Sequence, residues 1–209
     1  MSDSNAQAFD ATEGKNPNPL TIPVNVSIEL KEVVLSQPEM EAILGSAKRI
    51  AVGSCYCRTE NGNCDRPKDV CLTLDADADR KIAEDAWQEI EAQDALQLLE
   101  STYHAGLVHL AFRNQAEEIT AVCSCCSCCC EALGPLTKHT YKDGVVSSSH
   151  IASHNEETCV DCGLCIERCP FDAFTREEVG IRFDSDQCFG CGLCVSTCPV
   201  GAIAFGPRG

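Results

Sequence analysis

The chain has 209 residues, of which 18 are cysteine, and its 16 Lys and Arg against 32 Asp and Glu leave a formal net charge of −16. Both parts are acidic, with −11 (12 basic minus 23 acidic) in residues 1–154 and −5 (4 minus 9) in residues 155–209. This balance argues against nucleic acid as a partner and favours a redox protein with a basic docking patch. No run of 18 apolar residues and no signal-peptide pattern occur, so we expect a cytoplasmic protein without membrane insertion.

The first fifty residues predict a tail, a strand and a helix. Residues 1–19 are polar and predict a flexible tail. Alternating apolar and polar residues over 24–30 predict a half-buried strand. Ser36 and Glu39 form a Ser-x-x-Glu capping box ahead of a helix that ends near residue 49. The apolar segment IAVG at 50–53 then predicts a short buried strand.

The middle of the chain predicts a loop, a long helical region and two strands. The polar segment 61–71 predicts the loop, and residues 79–105 predict helix, with Gly106 as the residue that follows its end. LVHLAF at 107–112 and EITAVC at 118–123 predict two strands. A helix followed by two strands resembles a winged-helix unit, but the acidic balance argues against DNA binding.

Cysteine-rich stretches follow two of the predicted strands. Cys55 and Cys57 come directly after 50–53, and CSCCSCCC at 123–130 comes at the end of 118–123. If those strands are neighbours in one sheet, we expect the two stretches to lie side by side and to form one site. Adjacent cysteines in an extended chain are poorly placed for disulfides, and a reducing cytosol favours ligands or redox thiols instead.

The C-terminal part contains an internal repeat of cysteine motifs. Residues 159–170 read CVDCGLCIERCP and residues 188–199 read CFGCGLCVSTCP, so both fit Cys-x-x-Cys-x-x-Cys-x-x-x-Cys-Pro. Zinc sites use paired Cys-x-x-Cys units and fit this triple spacing poorly. The repeat resembles the bacterial-type two-cluster ferredoxins over about residues 155–206. The resemblance implies a small α+β unit with two short hairpins, two helices and two 4Fe–4S clusters.

The same resemblance implies a ligand set for each cluster, because the fourth cysteine of each motif ligates the other cluster. One cluster would take Cys159, Cys162, Cys165 and Cys198. The other would take Cys188, Cys191, Cys194 and Cys169.

Ten cysteines remain outside this repeat, and they are candidates for one or two additional iron–sulfur clusters, for structural zinc, or for free redox thiols. They are Cys55, Cys57, Cys64, Cys71, Cys123, Cys125, Cys126, Cys128, Cys129 and Cys130. The spacing of the first four is that of a four-ligand set, and neighbours within 123–130 are expected to point to different faces. Arg58 either offsets the charge of such a site or lies on the surface. The first part resembles only uncharacterised cysteine-rich ferredoxin-like proteins of anaerobes, which implies no activity.

These observations predict an α+β protein. A small cysteine-rich α/β domain at 20–150 precedes a C-terminal dicluster ferredoxin-like domain at 155–206. The predicted function is single-electron transfer, as a carrier or as an oxidoreductase subunit. Two alternatives stay open: an enzyme that reduces a small substrate at the N-terminal cysteine site, and a thiol or metal redox sensor.

Overall fold

A computed structural model describes residues 32–138 and 145–209, so the tail predicted for 1–19 and the strand predicted for 24–30 lie outside the described residues. The strands are β1 (Glu32–Val34), β2 (Ile50–Ser54), β3 (Asp69–Leu74), β4 (Gln88–Glu89), β5 (Val108–Arg113), β6 (Ile119–Cys125), β7 (Val145–Val146), β8 (His150–His154), β9 (Phe174–Arg176), β10 (Ile181–Phe183) and β11 (Ile203–Pro207). The helices are α1 (Gln37–Ser46), α2 (Tyr56–Asn61), α3 (Asp75–Asp85), α4 (Ala92–His104), α5 (Leu133–Lys138) and α6 (Leu164–Arg168). The protein therefore mixes helices and strands, as predicted.

Seven of the described strands form one sheet in the order β4-β2-β3-β6-β5-β1-β7. The predicted strands β5 and β6 pair antiparallel, but they are central strands of this sheet and not the wing of a winged-helix unit. β2 and β6 are not neighbours, because β3 lies between them and pairs antiparallel with both. They therefore run parallel to each other, and the residues that follow them emerge at the same edge of the sheet.

Helices α1 and α4 cover one face of this sheet. Met40 and Leu44 of α1 and Leu99 of α4 are buried in one apolar cluster with Leu72 of β3 and Val122 of β6. Burial of such side chains stabilises the fold by about 2 kcal/mol each. This packing fixes the strands that carry the cysteine-rich segments.

Two predictions in the middle of the chain are wrong. The helical region predicted for 79–105 is two helices, because Ala86 adopts a left-handed conformation (φ 56°) that ends α3, and β4 follows. The ring of Trp87 packs directly on Gly53 of β2. A Cβ at this position would lie 2.1 Å from the ring. The loop predicted for 61–71 contains the start of β3, which lacks alternation because Val70–Leu74 are all buried.

The predicted capping box of α1 is confirmed, and it also joins distant parts of the chain. Both the N–H and the hydroxyl of Ser36 donate to the Glu39 carboxylate, at 2.7 and 2.6 Å. The same carboxylate accepts hydrogen bonds from the Ser148 hydroxyl (2.6 Å) and the Ser149 N–H (3.0 Å). Burial raises the pKa of Glu39, but the hydrogen bonds from Ser148 and Ser36 outweigh it and lower this pKa to about 2.

We expect Glu39→Gln to lower the free energy of unfolding by about 1–2 kcal/mol at pH 7. Because the folded pKa (about 2) lies below the ordinary value of 4.5, the carboxylate's contribution is complete above about pH 4.5 and is lost as the pH falls toward 2. Thermal unfolding at pH 7 and at pH 4 measures the effect. The control is Glu41→Gln, on the exposed side of the same helix, and equal effects of the two substitutions would contradict the prediction.

The C-terminal segment is built from two antiparallel strand pairs, β8–β11 and the hairpin β9–β10. α6 begins within the first cysteine triplet and contains its third member, Cys165. The second predicted helix is a series of turns over 193–197, with bonds such as Val195 N–H to Gly192 O at 2.9 Å. The residues between the two parts, His150–His154, form β8, and Ala152 is buried.

Candidate iron–sulfur and metal sites

The eight cysteines of the C-terminal repeat line two separate cavities. The first is lined by Cys159, Cys162, Cys165 and Cys198. The second is lined by Cys169, Cys188, Cys191 and Cys194. Each cavity therefore combines three cysteines of one motif with the last cysteine of the other. This exchange arises because α6 and the turn at 193–197 each carry the chain from one cavity to the other.

Glycines allow the backbone to turn tightly beside these thiols. Gly163 and Gly192 have φ values of 82° and 76°, which residues with a Cβ rarely adopt. A Cβ at Gly163 would lie 2.7 Å from Nη2 of Arg176. The thiol of Cys162 is exposed, whereas Cys165 and Cys194 are buried.

Backbone N–H groups surround the sulfur atoms of the last cysteine in each motif. The Ala202 N–H donates to Sγ of Cys198 at 3.2 Å. Burial raises the pKa of Cys198, but N–H groups of residues 200–203 outweigh it and lower this pKa below its ordinary value. Burial raises the pKa of Cys169, which N–H groups of Phe171 and Ala173 partly offset. Such donors suit sulfur that carries negative charge, so these residues fit ligation of an iron–sulfur cluster.

Comparison with known proteins supports this chemistry for the C-terminal segment. Residues 152–205 match the family described as 4Fe-4S dicluster domain. This segment is a 4Fe–4S ferredoxin-like domain. The matched range begins within β8, which pairs with β11 near the other end of the segment.

Two relatives share parts of the chain. Uncharacterized ferredoxin MJ0265 of Methanocaldococcus jannaschii is 36% identical over 61 residues, which is 29% of this chain and 33% of that protein. Protein Pixie of Drosophila melanogaster is 52% identical over 31 residues, which is 15% of this chain and 5% of that protein. The chain thus spans a third or less of each of these relatives. Over residues 32–138 and 145–209, no helix is long and apolar enough to cross a membrane.

His154 is a residue of the first cavity that the sequence analysis missed. It lines this cavity beside Cys159 and Cys198, and neither of its ring nitrogens, both buried, has a hydrogen-bond partner among the described residues. Its ring packs edge-on against Phe174, with 5.9 Å between the ring centroids. The alternating segment HIASH was the available signal, because it predicts a strand that would place this ring on one face.

The ferredoxin-like domain packs directly on the seven-stranded sheet. Phe171, Phe189 and Leu193 belong to the same buried apolar cluster as Leu110 of β5 and Leu133 of α5. Hydrogen bonds add to this contact: the Tyr103 hydroxyl donates to the Gly192 carbonyl at 2.6 Å, and the Arg168 guanidinium donates to the Tyr103 carbonyl at 2.7 Å. The two parts therefore share one of the protein's hydrophobic clusters.

The ten remaining cysteines fall into two adjoining groups at the edge where β2 and β6 end. A cavity of about 280 Å³ is lined by eight of them: Cys55, Cys57, Cys71, Cys123, Cys125, Cys126, Cys129 and Cys130. The second group consists of Cys64, Cys126, Cys128 and Cys129, whose sulfur atoms all lie within 4.8 Å of one another. The cysteine-rich stretches thus meet, although the condition given for this prediction, that β2 and β6 are neighbours, is wrong because β3 lies between them. The four-ligand set inferred from spacing is divided, because Cys64 belongs to the second group.

Six thiols belong to the cavity alone, and we call them the cavity thiols: Cys55, Cys57, Cys71, Cys123, Cys125 and Cys130. A hydrogen bond with Cys71, together with burial, raises the pKa of Cys55. Hydrogen bonds from Cys125 and from the N–H groups of Leu133 and Ala132 lower the pKa of Cys130 to about 6. Cys130 is therefore a thiol of this cavity that carries negative charge near neutral pH. The aromatic rings of Trp87 and Phe112 complete the wall.

The second group, which we call the tetrathiol group, is compact. Sγ of Cys64 lies 3.9 Å from Sγ of Cys126 and 3.7 Å from Sγ of Cys129, and Sγ of Cys129 lies 3.8 Å from Sγ of Cys128. Neighbouring Cys128 and Cys129 were expected to point to different faces, and that is wrong here. The chain turns at 126–130, with the Cys130 N–H bonded to the Cys126 carbonyl at 3.0 Å, so side chains do not alternate as in a strand.

Arg58 lies between the two groups and is 0% exposed, which excludes the surface alternative. Its guanidinium donates to the carbonyls of Pro67 and Ser124. Burial raises the pKa of Cys126, but the hydrogen bond from Arg58 contributes to a net lowering. No ion pair between Arg58 and a carboxylate occurs in the described part of the chain. Among the thiols beside Arg58, Cys126 is the one whose pKa is lowered, so its ionised form is the counter-charge that these surroundings favour.

Proposed function

We propose that this protein is an iron–sulfur electron carrier that passes single electrons through two 4Fe–4S clusters. The proposed ligands are Cys159, Cys162, Cys165 and Cys198 for one cluster, and Cys188, Cys191, Cys194 and Cys169 for the other. The observation that carries the proposal is the pair of cavities, each lined by four thiols, in a segment that matches a 4Fe-4S dicluster domain.

The chain's own residues prepare both cavities for this role. When bound, 4Fe–4S clusters supply reversible one-electron transfer. Ile181 and Ile203 line the first cavity, and Phe171 and Leu193 line the second, so apolar side chains keep water away from the sulfur atoms. Backbone N–H groups around thiols such as Cys198 stabilise their negative charge. Solvent exclusion and hydrogen bonds to sulfur both change the reduction potential of an iron–sulfur cluster.

We extend the proposal to a further iron–sulfur site among the cavity thiols. Six thiols exceed the four ligands that one cluster needs, and Cys130 is readily ionised. Cys125 and Cys130 belong to the apolar cluster against which Cys169 and Cys191 also pack. This shared core supports electron passage between the cavity and the ferredoxin-like domain.

A groove beside the second cluster site supports a protein partner for electron exchange. It has a volume of about 530 Å³, lies between α1, α4 and the ferredoxin-like domain, and is lined by Cys191. Glu41 and Glu100 also line it. Together with the net charge of −16, these carboxylates favour a redox protein whose docking surface is basic.

A second candidate function is reduction of a small substrate in the cavity. The observation that favours it is the combination of about 280 Å³ of space with aromatic walls and thiols beyond those needed for one cluster. In that case, electrons from the ferredoxin-like domain would be consumed in the cavity. The thiol or metal sensor stays a prediction from the sequence.

Metal and sulfide analysis of the whole chain, purified without oxygen, tests the first proposal. The whole chain is used because the apolar core is shared between its two parts. We expect about eight iron and eight sulfide for two clusters, about four more of each for the further site, and fully reversible reduction. Iron and sulfide for fewer than two clusters would contradict the electron-carrier proposal.

Cys57→Ser is the matched variant for the further site, because Cys57 lines the cavity and lies outside the repeat. We expect it to remove only the iron and sulfide beyond the first eight. If bound candidate substrates are reduced by the wild type and not by this variant, the second candidate function replaces the first. If the iron content of the variant is unchanged, the further site is not among the cavity thiols.

A further inference from the structure

The spacing of sulfur atoms in the tetrathiol group is that of ligands around one metal ion. In a tetrahedral site with metal–sulfur bonds of about 2.3 Å, neighbouring sulfur atoms lie about 3.8 Å apart. The measured separations from Cys64 to Cys126 and Cys129, and from Cys129 to Cys128, are 3.9, 3.7 and 3.8 Å. All four sulfur atoms lie within 4.8 Å of one another. The distances between these sulfur atoms therefore match those between the ligands of a tetrahedral metal ion.

The same spacing excludes a 4Fe–4S cluster at this group. Each cysteine of such a cluster bonds a different iron atom, so the sulfur atoms must stand well apart, outside the corners of the iron–sulfur core. The eight cysteines of the repeat behave in this way: over residues 32–138 and 145–209 they form no group as close as 4.8 Å. The tetrathiol group thus differs in kind from the proposed cluster sites.

The surroundings of the group hold its backbone in place and balance its charge. The side-chain amides of Asn61 and Asn63 donate to the carbonyls of Cys129 and Cys128, at 2.9 and 3.1 Å. Four thiolates around a divalent ion leave a net charge of −2, and the buried guanidinium of Arg58, which donates to the Ser124 carbonyl two residues before Cys126, offsets part of it. These contacts correspond to the outer shell that accompanies metal ligands in proteins.

We propose that Cys64, Cys126, Cys128 and Cys129 bind a single Zn²⁺ ion. Zinc favours tetrahedral thiolate sites and has no redox chemistry, so this site is structural and lies outside the path of the electrons. It joins the loop after α2 to the turn after β6. Cys125 and Cys130 flank the ligands in that turn, so the zinc ion also positions two of the cavity thiols.

Paired variants of the whole chain, produced with both iron and zinc in the medium, test this proposal. We expect one zinc ion per chain in the wild type. Cys128→Ser should lose the zinc and keep the iron and sulfide of the ferredoxin-like domain, whereas Cys57→Ser should keep the zinc. Retention of zinc by the Cys128 variant overturns the proposal. A single iron ion without sulfide at this site in the wild type, instead of zinc, overturns it as well. If the zinc proposal is wrong, the iron and sulfide content of the ferredoxin-like domain is unaffected. This outcome is therefore distinguishable from failure of the electron-carrier proposal.

Zinc-edge X-ray absorption of the wild type tests the same site without any substitution. We expect four sulfur neighbours at about 2.3 Å and no second metal nearby. Nitrogen or oxygen neighbours, or an iron atom next to the zinc, would overturn the proposal.

Discussion

Replacing Cys191 by Ser is expected to remove one cluster and to destabilise the sheet, whereas replacing Cys162 by Ser should remove a cluster and leave the sheet intact. Cys191 packs against the apolar cluster that contains Phe189, Leu193 and Leu110 of the sheet. Cys162 is exposed and lines the other cavity, which shares no wall with that cluster. A ligand lost at the shared core therefore affects both parts of the protein.

We expect Cys191→Ser to lower the stability of the sheet by about 3 kcal/mol, which for a chain of this size lowers Tm by about 6–12 °C. Cys162→Ser should change it by less than about 1 kcal/mol. Iron and sulfide content report cluster loss, and amide hydrogen exchange in β5 and β6 reports the stability of the sheet. Equal exchange rates in the two variants would show that the cluster next to the sheet does not support it.

Replacing Arg58 by Met is expected to lower the free energy of unfolding by about 3–5 kcal/mol, because it removes one partner of a fully buried charge interaction. The substitution leaves the carbonyls of Pro67 and Ser124 without their donor and removes the cation that lowers the pKa of Cys126. We also expect the variant to lose zinc. Arg58→Lys should recover part of the stability, because it keeps the charge but not the planar fork that reaches both carbonyls.

Chemical unfolding and zinc analysis measure these effects, with Arg80→Met as the matched control. Arg80 forms an exposed ion pair with Asp77 at 2.8 Å, so its replacement should cost less than about 0.5 kcal/mol. If the Arg58 and Arg80 variants unfold alike, the buried guanidinium has no stabilising role. If the free energy of unfolding falls but zinc is retained, Arg58 stabilises the fold and is not needed to balance the charge of the tetrathiol group.

Local sequence patterns were sufficient to predict the helices and strands whose defining contacts lie between residues close in sequence. Ser36 and Glu39 are three residues apart, so their capping box was readable and is present. The apolar segments that became β2, β5 and β6 were readable for the same reason. β3 was missed because both of its faces are buried, which removes the alternation that marks a strand. Ala86 gave no warning that it would end α3, since alanine rarely adopts a left-handed conformation.

The chemistry of the C-terminal segment follows from its cysteine motif, because a repeated motif with fixed spacing specifies a ferredoxin-like domain without reference to the rest of the chain. The division of the other ten cysteines into two groups follows from the packing of distant segments. Cys64 joins Cys126, Cys128 and Cys129 because the insertion of β3 and the turn at 126–130 bring residues more than sixty positions apart to within 4 Å. The spacing of residues along the chain restricts only which nearby cysteines can bind the same metal. Which distant cysteines join them depends on the order of the strands in the sheet.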